Sequence, residues 1–185
     1  MVSLGALWIP IVLSAVIVFV ASSILHMVLP YHRSDYKAVP EEDKVMTALR
    51  SVGLKRGLYV LPFCTHKDMK SQAMIEKYKQ GPVAMLTVFP SAPPAMPKFL
   101  GQWFVYCLIV SFFVALIVES TVRFGSTYRH VFHVAALSAF LSYGLANMVN
   151  GIWRGQPWSV VAKELIDGVI YALLTAGTFG WLWPR

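Results

Sequence analysis

Residues 4–29 read LGALWIPIVLSAVIVFVASSILHMVL, a run from Leu4 to Leu29 in which His26 is the one side chain able to carry a charge. A helix needs roughly 20 apolar residues to cross about 30 Å of hydrocarbon. This run is long enough, and it decides the solvent in which the chain folds. Three further runs obey the same rule, Phe99 to Val118, Val131 to Val149 and Val161 to Trp183. The sequence therefore predicts an all-α integral membrane protein, with a first transmembrane helix in 1–29 and a three-helix transmembrane region in 98–185, spanning about 99–119, 130–150 and 161–183.

Composition agrees. Of the 185 residues 57% are hydrophobic and only 14% charged, which leaves too little polar surface for a soluble domain of this size. The first run is read as a permanent helix and not a cleaved signal, because no Lys or Arg precedes it and it is about twice the length of a signal h-region. Pro10 falls early in the helix, where its missing N–H costs little, and Pro30 ends it. Trp8, Trp103, Trp153, Trp158, Trp181 and Trp183 fall near the expected boundaries, as in an aromatic belt.

Between the first two spans lies an insert, residues 30–97, expected to be a small mixed α/β or helical cytoplasmic unit. Glu41, Glu42 and Asp43 open a helix with Val45, Met46, Leu49 and Val52 on one side and Gly53 as its stop. Leu58 to Phe63 and Val83 to Phe89 read as strands. Thr65 with Asp68 resembles a capping box for a second helix. Lys55, Arg56, Lys67, Lys70, Lys77 and Lys79 give the insert a basic surface suited to anionic headgroups, and no groove-binding or stacking motif points to nucleic acid. Near the span ends, Arg33, Lys37, Lys44, Lys79, Lys98, Arg154 and Lys163 fall on one side against Arg123, Arg129 and Arg185 on the other. That bias places the insert in the cytoplasm and both termini in the periplasm of a bacterial inner membrane.

Polar residues inside spans carry the functional signal, since burying them in hydrocarbon is expensive. One layer contains His26, Asn147, Asn150, Glu164 and Asp167, joined by Tyr171 on the stripe that runs up from Asp167. It can form a polar cavity for a proton, an ion or a small solute, or simply cap helix ends. At the opposite level, His130 and His133 at i, i+3 could share a metal ion with Glu119, although Glu119 paired to Arg123 at i+4 is the simpler expectation. Haem would need histidines facing one another at one depth, which this order does not provide, so no cofactor is predicted. Cys64 and Cys107 are expected to be unpaired, and no serine or cysteine nucleophile has a base at matched depth.

Small residues recur at four-residue spacing, Gly168, Ala172, Ala176 and Gly180 in the last run and Ser138, Ser142 and Ala146 in the third. Such stripes let helices pack closely in lipid, within one chain, against a second copy or against other membrane subunits. The segment Leu25 to Asp35 and the Trp-Arg-Gly-Gln-Pro-Trp turn within Ile152 to Trp158 resemble small uncharacterised four-span bacterial membrane proteins. The resemblance implies an inner-membrane setting and no activity. With no catalytic grouping, abundant packing stripes and an insert too small to stand alone, the sequence predicts a non-catalytic structural or accessory subunit of a membrane assembly. A small oligomeric transporter or channel is the alternative, and a metal- or redox-binding subunit the third reading.

Overall fold

Helix α1 (Trp8–Ser23) is entered through a 3-10 turn, Leu4–Leu7, and prolonged by a π turn, Ile24–Val28, so the chain is helical from Leu4 to Val28. This follows from the sequence, which offers no breaker after Pro10 until Pro30. The computed structural model describes residues 2–184. Two compact units emerge, one formed by residues up to Tyr36 with those from Ala95 onward, the other by Lys37–Pro94.

In the larger unit, α4 (Met96–Thr121) starts with Pro97 in its first turn and stops where Val122 becomes extended. Helix α5 (Tyr128–Tyr143) runs through a 3-10 turn, Leu145–Asn147, into the short α6 (Met148–Trp153). Helix α7 (Trp158–Trp181) follows. Three helical stretches, Leu4–Val28, Met96–Thr121 and Tyr128–Trp153, are long and apolar enough to cross a membrane. Helix α7 is of similar length but carries Lys163, Glu164 and Asp167 in its first three turns and Thr175 and Thr178 on its buried side.

The helices close into a ring: α1 packs on α4 and α7, and α5 also packs on α4 and α7. The closest approach joins α7 to the end of α5, where a Cβ on Gly168 would lie 2.3 Å from the Gly144 Cα. Gly180 similarly abuts the Tyr128 ring. Ala172 and Ala176 are buried beside them, so the small-residue stripe of the last run is used inside the chain. On α5 the buried stripe is Val131, Ala135, Ala139 and Tyr143, while Ser138 and Ser142 are half-buried and Ala146 is exposed. That corrects the expected seam. Tyr143 and not Ala146 continues the inner face because α5 ends there and the chain turns at Gly144.

Between α1 and α4 the contact is also small, with the buried Ser14 and Ser111 hydroxyls 3.0 Å apart. Outward, the helices expose Val12, Val16 and Val20 on α1, Ile109, Phe113 and Ile117 on α4, and Leu137 and Leu141 on α5. A bundle built for water would bury such rows, whereas lipid tails cover them at no cost.

The unit Lys37–Pro94 is mixed α/β. Helix α2 (Glu42–Val52) ends at Gly53 with a left-handed φ of 70°. Strands β1 (Gly57–Leu61) and β2 (Ala84–Val88) pair antiparallel, in register from Gly57 opposite Val88 to Leu61 opposite Ala84. Between them α3 (Gln72–Gln80) is capped by Ser71, whose hydroxyl accepts from the Met74 amide. The expected capping box at Thr65 fails because its hydroxyl donates to the Asp68 side chain in a turn that precedes the helix. Met74 is the one hydrophobic side chain buried in this unit. The unit begins at Lys37 and not at residue 30, because Pro30–Tyr36 folds onto α7 instead.

Candidate functional site

The π turn at the end of α1 sets the site. Its extra residue widens the helix, and such turns concentrate at functional positions. His26 sits within it, and its Nδ1 lies 3.1 Å from the Ser22 carbonyl oxygen. Pro30 then forces a 3-10 turn, Pro30–His32, which stacks the His32 ring on the His26 ring at 4.1 Å between centroids and 12° between planes.

The start of α7 receives this turn. Lys163 donates to the Tyr31 carbonyl at 2.8 Å, the Ser34 hydroxyl at 2.8 Å and the Asp35 carboxylate. An ammonium has three hydrogens, and all three are used. His32 lies between two carboxylates, its Nδ1 2.6 Å from Asp35 Oδ2 and its Nε2 2.8 Å from Asp167 Oδ2. The His26 Nε2 is 3.8 Å from the same Asp167 oxygen. Burial pushes the Asp35 carboxyl up, but the hydrogen bonds from Lys163 and His32 outweigh it and hold the group below the ordinary carboxylate range. Burial, then the nearby Asp167 and Asp35 charges, push the Tyr31 phenol above its ordinary value.

A cavity of about 660 Å³ opens beside this cluster. Its apolar wall comes from α4, with Phe99, Trp103 and Tyr106, and its polar wall from His26, Asn147, Glu164, Asp167 and Tyr171. Trp103 is fixed by its indole N–H, which donates to the Ser22 hydroxyl at 2.7 Å, and its ring lies 6.2 Å from Tyr171. Tyr143 meets Tyr171 edge to face at 5.6 Å. Glu164 Oε1 accepts from Gln156 at 2.7 Å. Among the described residues, four buried oxygens in this region have no hydrogen-bond partner: the Tyr31 and Tyr171 hydroxyls, Glu164 Oε2 and Asp167 Oδ1. Each such group costs free energy on the order of 1–3 kcal/mol unless something binds it.

Of the residues singled out by sequence, His26, Asn147, Glu164, Asp167 and Tyr171 share this cavity. Asn150 does not line it; its carbonyl accepts from Arg154 and Gln156 and closes the turn before α7. His130 and His133 are exposed near the opposite end of the bundle, and among the described residues they form no ligating group with Glu119. Glu119 and Arg123 make no ion pair, because α4 ends at Thr121 and the i, i+4 geometry is lost. Sequence reasoning missed His32, Asp35 and Lys163. The signal was present as His32 and Asp35 at i, i+3 just after Pro30, but that segment was assigned to the insert.

No family model, curated protein or solved structure matches the chain.

Proposed function

We propose that the protein is a small carrier or channel of the transporter class, which takes a proton or small cation from the cytoplasmic face into the cavity at the end of its bundle. The observation that carries this reading is the set of unpartnered, buried Glu164 Oε2, Asp167 Oδ1 and Tyr171 hydroxyl oxygens on the cavity wall. The two carboxylate oxygens are acceptors suited to a positive group and the phenol can donate or accept, in a setting where an idle carboxylate is costly. In this reading α7 is a fourth span, Lys37–Pro94 lies in the cytoplasm of a bacterial cell, and both termini are periplasmic, as the Lys and Arg bias favours.

The test is proton flux into liposomes that hold the purified protein and a luminal pH-sensitive dye. Flux above empty liposomes is expected, and its loss in Asp167→Asn with thermal stability retained. A wild type that moves neither protons nor a small metal cation under an imposed gradient or potential would overturn the reading.

The accessory-subunit reading keeps one observation in its favour. Lys37–Pro94 exposes Leu58, Phe63, Met85 and Phe89 and buries only Met74, so it gains from a protein partner. Loss of a co-purifying subunit on Phe89→Lys in mild detergent would support it.

A further inference from the structure

We propose that His26, His32 and Asp167 bind one divalent first-row transition metal ion of the zinc class at the rim of the cavity. The inference deepens the cation reading above by naming the ion. It begins from hydrogen positions. At Nδ1 each histidine faces an oxygen that an N–H would satisfy, His32 the Asp35 carboxylate at 2.6 Å and His26 the Ser22 carbonyl at 3.1 Å, and a hydrogen placed there leaves Nε2 free to ligate. The Nε2 lone pairs are thereby turned to the other side of each ring. There both meet Asp167 Oδ2, at 2.8 Å and 3.8 Å.

The 2.8 Å contact between His32 Nε2 and Asp167 Oδ2 requires either a proton on that nitrogen or a metal ion beside it. A proton would serve the pair His32–Asp167 alone. It would leave the His26 Nε2, Asp167 Oδ1 and the neighbouring Glu164 Oε2 bare. A metal ion serves several at once, and the ligand atoms of the three residues already lie within 4.8 Å of one another.

The surroundings have the form of a metal site. Asp35, His32 and the ligand position make a carboxylate–histidine–metal line, and Lys163 fixes Asp35 from behind. Formal charges also fit. Asp35, Asp167 and Glu164 against Lys163 leave two negative charges, which one divalent ion neutralises. Two imidazoles with carboxylate oxygen suit zinc and its neighbours better than magnesium or calcium. His26, half exposed on the cavity wall, gives the ion a way in. The stacked rings would have to splay slightly, because a metal shared by both draws the two Nε2 atoms toward one point.

The experiment uses full-length protein in mild detergent, with a tag free of histidine, stripped by chelator and titrated with Zn2+ by calorimetry and with Co2+ by visible absorption. One equivalent of Zn2+ should bind, and Co2+ should give the d–d bands of a nitrogen- and oxygen-ligated site. His26→Ala, whose side chain is half exposed and so tolerant of change, should abolish that binding. Asp35→Asn should weaken it by about 10–100-fold, the usual effect of losing a histidine's carboxylate support. The double variant His130→Ala, His133→Ala should leave it intact. The inference is overturned if wild type binds no Zn2+, or if binding follows His130 and His133 instead of His26. Proton flux without Zn2+ binding would sink the metal site and spare the carrier. Zn2+ binding without any flux, of protons or of Zn2+, would do the reverse.

Discussion

The Nε2 of His32 lies 2.8 Å from Oδ2 of Asp167, a residue 135 positions further along the chain. This contact ties the segment that leaves the first helix to the buried Asp167 of α7. Lys163 completes the tie through Asp35, whose side chain is 6% exposed. Removing Lys163 would strand that carboxylate in a poorly solvated place. Breaking one partner of a buried pair costs about 3–5 kcal/mol, so Lys163→Met should lower the thermal midpoint in detergent markedly and make the Pro30–Tyr36 segment sensitive to protease. An unchanged midpoint would mean that the tie contributes nothing.

The same tie should open in acid. The Asp35 carboxyl is held below its ordinary value in the folded state, so its contribution is complete above the unfolded value of about 4 and is lost as pH falls through the lower, folded one. Tyr31 works at the other end of the scale. Its raised value means that its contribution is whole below about 10 and is lost as pH rises beyond it. Protection of the Arg33 and Asp35 amides, which donate to the Pro30 and His32 carbonyls, should therefore fall below about pH 4 relative to intrinsic exchange, and Asp35→Asn should remove that acid limb. Exchange that is flat with respect to the folded state across this range would contradict the assignment.

Helices were legible where one physical term dominates. The apolar runs announce themselves because hydrocarbon demands length and little else, and Gly53 announces the end of α2 because a left-handed residue is needed there. The site was only half legible. His26, Asn147, Glu164, Asp167 and Tyr171 stood out as polar residues in apolar surroundings, but nothing in their spacing indicates that Pro30–Tyr36 turns back across α7. That fold-back depends on Lys163, and a lysine at a span end reads first as a topology signal. Thr65 misled for a related reason: two polar side chains three apart satisfy each other as readily as they satisfy a helix end.

Close packing between α5 and α7 gives a sharper test than any polar group. A methyl on Gly168 would meet the Gly144 backbone at 2.3 Å, and backbone cannot rotate away. Gly168→Ala should cost about 1–3 kcal/mol by overpacking, and also disturb the nearby Asp167. Gly177→Ala is the control, since its new methyl would meet only the Tyr128 hydroxyl at 3.9 Å and gains about 1 kcal/mol of helix propensity. The two alanine variants should therefore differ in sign when unfolded in detergent. Equal effects would show that the helices are not this close.

Whether α7 crosses the bilayer turns on which of its faces is counted. Its first three turns carry Lys163, Glu164 and Asp167, and Thr175 and Thr178 lie with Asp167 on the buried side. Its exposed side is another matter: Ile166, Val169, Leu173 and Trp181 point outward and carry no polar atom except an indole N–H near the end. Lipid meets only that outward face, so the helix should insert despite these polar residues. Alkaline phosphatase fused after Pro184 should then be active and a green fluorescent protein fusion dark in bacterial cells. Leu173→Asp should reverse part of this, since a charged residue at a helix centre costs about 2.5–3.5 kcal/mol on insertion scales. A bright fluorescent fusion on the unaltered chain would leave three spans, place the end of α7 in the cytoplasm, and require the cavity to be re-read as a feature of the membrane surface.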